Sequence, residues 1–164
     1  MNSNELILHL SNKDKKISNG SDIGYVSLPL ILISDKILSR IALLLEKKYS
    51  ISTSELDVLS SLHSCVDEKH TLSPTKLYEK LFFSSGGMTK VLKKLETKGF
   101  IKRLDNKDDK RSKLVRLTKS GKGMVENSLR DVIELEEKMF SHVNTKDRES
   151  LSELLFKTLD GIKE

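Results

Sequence analysis

The segment from Ser84 to Lys98 has the most direct chemical content. Placing residues at about 100° steps around a helical axis from Gly86 puts Met88, Val91, Leu92 and Leu95 between about 140° and 240°. Gly86, Thr89, Lys90 and Lys93 fall between about 300° and 40°. One face is therefore apolar and the other small and basic. Gly86 and Gly87 each cost about 1 kcal/mol relative to Ala in a helix interior, and less near an end. Without Cβ atoms they let the backbone approach another surface closely. Thr89 and Lys90 carry side chains able to read base edges, whereas Lys93 and Lys94 suit phosphates, which position without specifying. The plainer alternative is an ordinary amphipathic helix with a lysine face.

A second piece of chemistry lies at Asn106-Lys107-Asp108-Asp109-Lys110-Arg111-Ser112, a charged tip between Ile101–Asp105 and Lys113–Thr118. The flanking runs read as strands and the whole as a hairpin. Ser73-Pro74 caps a short helix with Leu77 and Leu81 inside. That helix, a four-residue turn from Phe82 and the helix from Gly86 form a helix-turn-helix, whose second helix can enter a major groove. A hairpin directly after it makes a winged helix, free to lay Arg111 in the adjacent minor groove. The plainer reading of the tip is a charged solvent loop.

Other elements must hold these in place. Residues 1–27 are rich in Asn, Ser, Gly and Lys without sustained period and read as a loose arm. From Leu28 to Lys48, Leu30, Ile33, Ile37, Ile41, Leu44 and Leu45 recur at helical spacing, with Pro29 expected in the first turn. This helix has more Ile and Leu than one isolated surface helix should expose, so part of it should meet a partner chain. A second helix opens near Ser52, where Ser52 and Glu55 have capping-box form and Leu56, Leu59 and Leu62 or His63 make the buried stripe. The helix from Gly86 stops at Gly99, where a C-terminal glycine belongs. Two helices close the chain, one from Gly121 to about Ser141 and one capped by Asn144 with Asp147 at its third position.

The charge is concentrated in the same region. Residues 76–123 hold 15 Lys/Arg against 5 Asp/Glu, whereas residues 1–75 hold 8 against 9 and residues 124–164 hold 6 against 10. A basic block between two acidic segments points to a polyanion met by one part of the molecule. In 164 residues the longest uninterrupted apolar run is Ile41–Leu45, far short of the roughly 18 residues of a membrane span. Met1–Leu10 carries Glu5 and lacks a basic leader and cleavage site, so a cytoplasmic protein is expected. The lone Cys65 fits a reducing compartment. His9, His63, His70 and His142 are scattered, no hydrolase or phosphate-binding fingerprint is present, and no enzyme or cofactor is expected.

The stretches Ser52–Leu62, Leu72–Leu81, Ser84–Ile101 and Arg103–Gly121 resemble the successive motifs of the MarR family of bacterial transcriptional regulators. The resemblance spans about Leu28 to Leu159 and is most specific in the wing, at Asp109, Arg111, Leu117 and Thr118. It implies that Arg111 is the minor-groove residue and that Asp109 fixes the wing through a nearby arginine, with Arg103 a candidate. It also implies an obligate homodimer through the first and last two helices, a pseudo-palindromic promoter site blocked by the protein, and release by a small molecule or other signal. The expected fold is mainly α, a winged helix-turn-helix with a two-stranded β wing and N- and C-terminal dimerisation helices. The expected divisions are an arm over 1–27, a dimerisation helix over 28–50, a DNA-binding lobe over 51–120 and dimerisation helices over 121–164. The candidate DNA contacts are Ser73, Thr75, Lys76, Ser84, Ser85, Gly86, Gly87, Thr89, Lys90, Lys93, Lys94 and Arg111. An alternative in a different class is a winged-helix module whose basic block meets an acidic protein. His63, Cys65 and His70 form a run of metal- or redox-capable side chains, but His63 and Cys65 point to different helix faces. Their reading as a sensor stands beside a plainer one, a small buried thiol and solvent histidines.

Overall fold

The computed structural model describes residues 24–65, 70–81, 85–106 and 113–162. The chain divides into two units, Met1–Leu43 and Leu44–Glu164. Helix α1 spans Gly24–Leu44. It therefore begins four residues before Leu28, and Pro29 lies inside it rather than in its first turn. The cost there is one backbone bond, because Pro29 has no N–H for the Tyr25 carbonyl. The rest of the expected arm, residues 1–23, lies outside the described residues.

A π-helical turn, Leu45–Tyr49, follows α1 and ends at Ser50, which has a left-handed backbone with φ 53°. Periodicity alone gave no sign of the switch from α to π. Tyr49 donates a 2.7 Å hydrogen bond to Asp131, and Lys48 forms an ion pair with the same carboxylate. Together they fasten the turn to α5, which spans Lys119–Met139.

Helix α2, Thr53–His63, begins with the expected capping box: the Glu55 N–H donates to Ser52 Oγ at 3.2 Å and the Ser52 N–H donates to Glu55 Oε2 at 2.8 Å. Its stripe of Leu56, Val58, Leu59 and Leu62 is the centre of the core, against α5, α4 and β3. Fully burying each such side chain contributes about 1.5 to 3 kcal/mol. Helix α3, Pro74–Lys80, is capped by Ser73 and buries Leu77. Helix α4, Ser85–Thr97, closes on the expected Gly99, whose φ is 73°. The Gly99 N–H donates to the Glu96 carbonyl at 2.9 Å and the Phe100 N–H to the Leu95 carbonyl at 3.0 Å, the paired bonds of a Schellman stop.

Strands β2, Ile101–Asp105, and β3, Lys113–Leu117, pair antiparallel with Ile101 opposite Leu117 and Asp105 opposite Lys113. A third short strand, β1 at Thr71–Leu72, pairs with the other edge of β3, so the sheet has three strands in the order β1-β3-β2 rather than two. Two residues are too few to show a period in sequence. They are held by the ladder and by the Arg116 Nε–H, which donates to Thr71 Oγ1 at 2.9 Å.

Helix α5 starts at Lys119 rather than Gly121 because Thr118 is its N-cap, accepting from the Gly121 N–H at 3.0 Å while its hydroxyl donates to the Gly99 carbonyl at 2.8 Å. The start of α5 is thus stitched to the end of α4. Helix α6, Thr145–Gly161, has the expected Asn144 cap bonded to Asp147 N–H at 2.9 Å, and buries none of its residues.

Candidate nucleic-acid interface

Helix α4 sorts its residues as the angular arithmetic requires. Met88, Leu92 and Leu95 are buried, while Thr89, Lys90, Lys93 and Lys94 are exposed. Among the described residues no carboxylate pairs with Lys90, Lys93 or Lys94. These three with Thr97 and Lys98 line a shallow groove of about 380 Å³. Unneutralised ammonium groups on a rigid helix make a surface for a polyanion.

The core locks this face in its angular setting, because Met88 and Leu95 cannot leave the interior without exposing their whole side chains. Helix α3 presents Thr75 and Lys76 to solvent beside its cap Ser73, with Leu77 turned inward. Gly86 and Gly87 stand with Ser85 in the first turns of α4. Ser84, Asp109 and Arg111 lie outside the described residues. The wing's base is described: Lys113 Nζ donates to Asp105 Oδ1 at 2.7 Å across the two strands. That bond holds the Asp105 carboxyl below its usual range. Arg103, the expected partner of Asp109, forms an ion pair with Glu96 of α4, Nε to Oε2 3.2 Å.

The histidine and cysteine run does not gather into a closed ligand set. Among the described residues no three His, Cys, Asp or Glu side chains are placed to hold a metal ion. His63 and His70 stack with ring centroids 5.5 Å apart, and His63 Nε2 lies 3.3 Å from Glu126 of α5. Cys65 is half-buried, just past the Ser64 cap of α2.

Sequence reasoning missed the role of Lys98. It counts among the basic residues of α4, yet its ammonium turns inward to Glu55, Nζ to Oε1 2.6 Å, and donates to the Ser50 carbonyl at 2.8 Å. Glu55 itself is buried. Burial alone would raise its carboxyl, but hydrogen bonds from Lys98 and Ser52 outweigh it and hold the group below its usual value. The one local signal was Glu55 in a capping box. Its distant partner left no trace in sequence.

Two apolar faces complete the picture. Every exposed large apolar side chain among the described residues except Ile133 lies on α1 or on α6 and its C-cap. On α1 they include Ile31 and Leu38, and on α6 Leu154, Phe156 and Leu159. A groove of about 360 Å³ runs along α6 between Phe140, Arg148, Leu155 and Leu159. No helix among the described residues is long and apolar enough to cross a membrane.

Residues 51–113 match the sequence model described as the MarR family. The chain is 32% identical over 112 residues to the uncharacterized HTH-type transcriptional regulator YdgJ of Bacillus subtilis, covering 68% of this chain and 66% of that protein. It is 29% identical over 126 residues to the HTH-type transcriptional regulator PapX of Escherichia coli, covering 71% and 68%. Among solved structures it is similar to a mutant of MarR from E. coli complexed with operator DNA, with TM-score 0.66 and 27% identity over 85% of this chain and 99% of that one. A MarR family transcriptional regulator from Streptomyces coelicolor, also in complex with DNA, shares the fold with TM-score 0.73 at 17% identity, over 85% and 87% of the two chains.

Proposed function

Because the chain belongs to the MarR family of winged helix-turn-helix transcriptional regulators, we propose that it acts as a homodimer on a pseudo-palindromic promoter site. On this reading it represses transcription until a small-molecule signal releases it. The observation that carries the DNA-binding part is the two-sided α4, whose buried Met88, Leu92 and Leu95 fix the exposed Lys90, Lys93 and Lys94, which pair with no carboxylate among the described residues, on a rigid support. The relatives solved with DNA support the same use of the fold.

In this reading Thr89 and Lys90 meet base edges with the backbone at Gly86 and Gly87 drawn close. Lys93, Lys94, Ser73, Thr75, Lys76, Ser84 and Ser85 hold the phosphodiester backbone, and Arg111 enters the minor groove. Asp109 orders the wing, with Arg103 as its candidate partner. The lobe is residues 51–120. The dimer is formed by α1 with α5 and α6, whose exposed leucines and isoleucines are more apolar surface than a monomer leaves in water. Two copies then place their α4 helices about 34 Å apart, one turn of B-DNA. The acidic final segment stays away from the phosphates.

The test is the pair of variants Lys90→Ala and Arg111→Ala, assayed by electrophoretic shift on promoter DNA and by sedimentation. Both should lose specific binding while remaining dimers. If both shift DNA as the parent does, the assignment is wrong, and an acidic protein partner becomes the better account of the basic block.

A further inference from the structure

We propose that Lys98 is a positioning residue for DNA recognition, setting the tilt of α4 through Glu55 and the Ser50 carbonyl and making no phosphate contact of its own. The proposal rests on the DNA-binding reading above. Lys98 lines the same groove as Lys90, Lys93 and Lys94. The contacts separate it from them. Its ammonium reaches Glu55 Oε1 at 2.6 Å and the Ser50 carbonyl oxygen at 2.8 Å. The Glu55 side chain is only 3% exposed, and its other oxygen accepts from the Ser52 N–H at 2.8 Å. A buried carboxylate with both oxygens engaged holds its cation far more firmly than a surface pair does, because losing one partner strands a charge in the interior.

The node joins three segments at one point. Ser50 ends the π turn in a left-handed conformation, Glu55 lies in the first turn of α2, and Lys98 directly follows the last residue of α4, one residue before Gly99. The adjacent Glu96 reaches Arg103 of β2 at 3.2 Å, a second and more exposed strut at the same end. The base-reading residues lie toward the other end. At 1.5 Å per residue Lys90 is about 12 Å along the axis from Lys98, so a tilt of about 5° about the anchored end moves Lys90 by about 1 Å. Hydrogen bonds to base edges tolerate a spread of about 0.5 Å in donor–acceptor distance. Flexible lysines on phosphates absorb such a shift, so loosening the node should weaken specific binding and spare non-specific binding.

The experiment uses the full chain and two duplexes of equal length, one carrying a binding sequence selected by the parent protein and one scrambled. Affinity is followed against salt at a temperature where melting curves show each variant folded. Lys98→Met should lower the ratio of specific to non-specific affinity about ten- to hundredfold, the size of one weakened base contact in each half-site. Its salt slope on the scrambled duplex should match the parent's. Lys98→Arg should restore most of the ratio. Lys94→Ala, a proposed phosphate contact, should instead lower the slope and weaken both duplexes together. The double variant Glu55→Gln with Lys98→Met removes the stranded carboxylate, so that it reports tilt even where Lys98→Met alone melts too early. The proposal is overturned if Lys98→Met behaves as Lys94→Ala does, or if it and the double variant keep the parent's ratio and only melt lower. A parent protein with no preference for any duplex would refute the DNA-binding reading itself, and the positioning role with it.

Discussion

Replacing Lys94 with Ala perturbs one exposed ammonium on α4, with no ion-pair partner among the described residues, and nothing in the core, since its neighbours on the buried face are Leu92 and Leu95. Stability should change by no more than about 0.5 kcal/mol, as for surface substitutions generally. Its effect on DNA is larger and has a specific form. Each neutralised phosphate contributes about 0.9 to the slope of log affinity against log salt. A dimer carries two copies of Lys94, so the variant should lose about 1.8 from the slope. Over a fourfold rise in salt, from about 50 to about 200 mM, this difference amounts to about one log unit. The variant's deficit should therefore be greatest at low salt and shrink about tenfold across that range. Fluorescence anisotropy of a labelled duplex at several salt concentrations measures the slope directly. An unchanged slope would remove Lys94 from the contact set. A slope reduced by about 0.9 would mean that one protomer engages at a time, against the symmetric dimer.

Other outcomes follow from single features. Leu154→Glu places a charge on the exposed face of α6, so the isolated chain should fold as before while sedimentation shows the dimer weakened by about 2 kcal/mol or more. An intact dimer would move the interface elsewhere. Gly121→Ala builds a Cβ into the Phe100 carbonyl oxygen and within 2.9 Å of Leu117 Cδ1, at a cost of about 1 to 3 kcal/mol in urea unfolding. A variant as stable as the parent would contradict the seating of α5 on the turn after α4. Glu55 titrates lower in the fold than its ordinary value of 4.5, so its contribution is present above that pH and is lost as pH falls through the lower folded value. Denaturation curves below pH 4.5 should therefore decline less steeply for Glu55→Gln than for the parent.

Caps and stops were legible because their chemistry is local. Ser52 with Glu55, Ser73 with Pro74, Asn144 with Asp147 and Gly99 each act within three or four residues, and each stands where the sequence puts it. The two faces of α4 were legible because a 3.6-residue period is written in residue type. What was missed depends on distant partners. Strand β1 exists because Thr71 and Leu72 meet Arg116 and Val115, and Thr118, the cap before Lys119, is held in place by its hydroxyl's bond back to the Gly99 carbonyl. The inward turn of Lys98 depends on a carboxylate 43 positions away. Local pattern therefore separated the buried from the exposed positions of α4 but carried no sign of the partner that Lys98 finds.

Selection from random duplex DNA at about physiological salt decides whether this chain reads DNA as a symmetric dimer through α4. Recovery of a palindrome with half-sites one helical turn apart, about 34 Å, is the expected result. Recovery of no motif, with only salt-sensitive binding to every duplex, would contradict it.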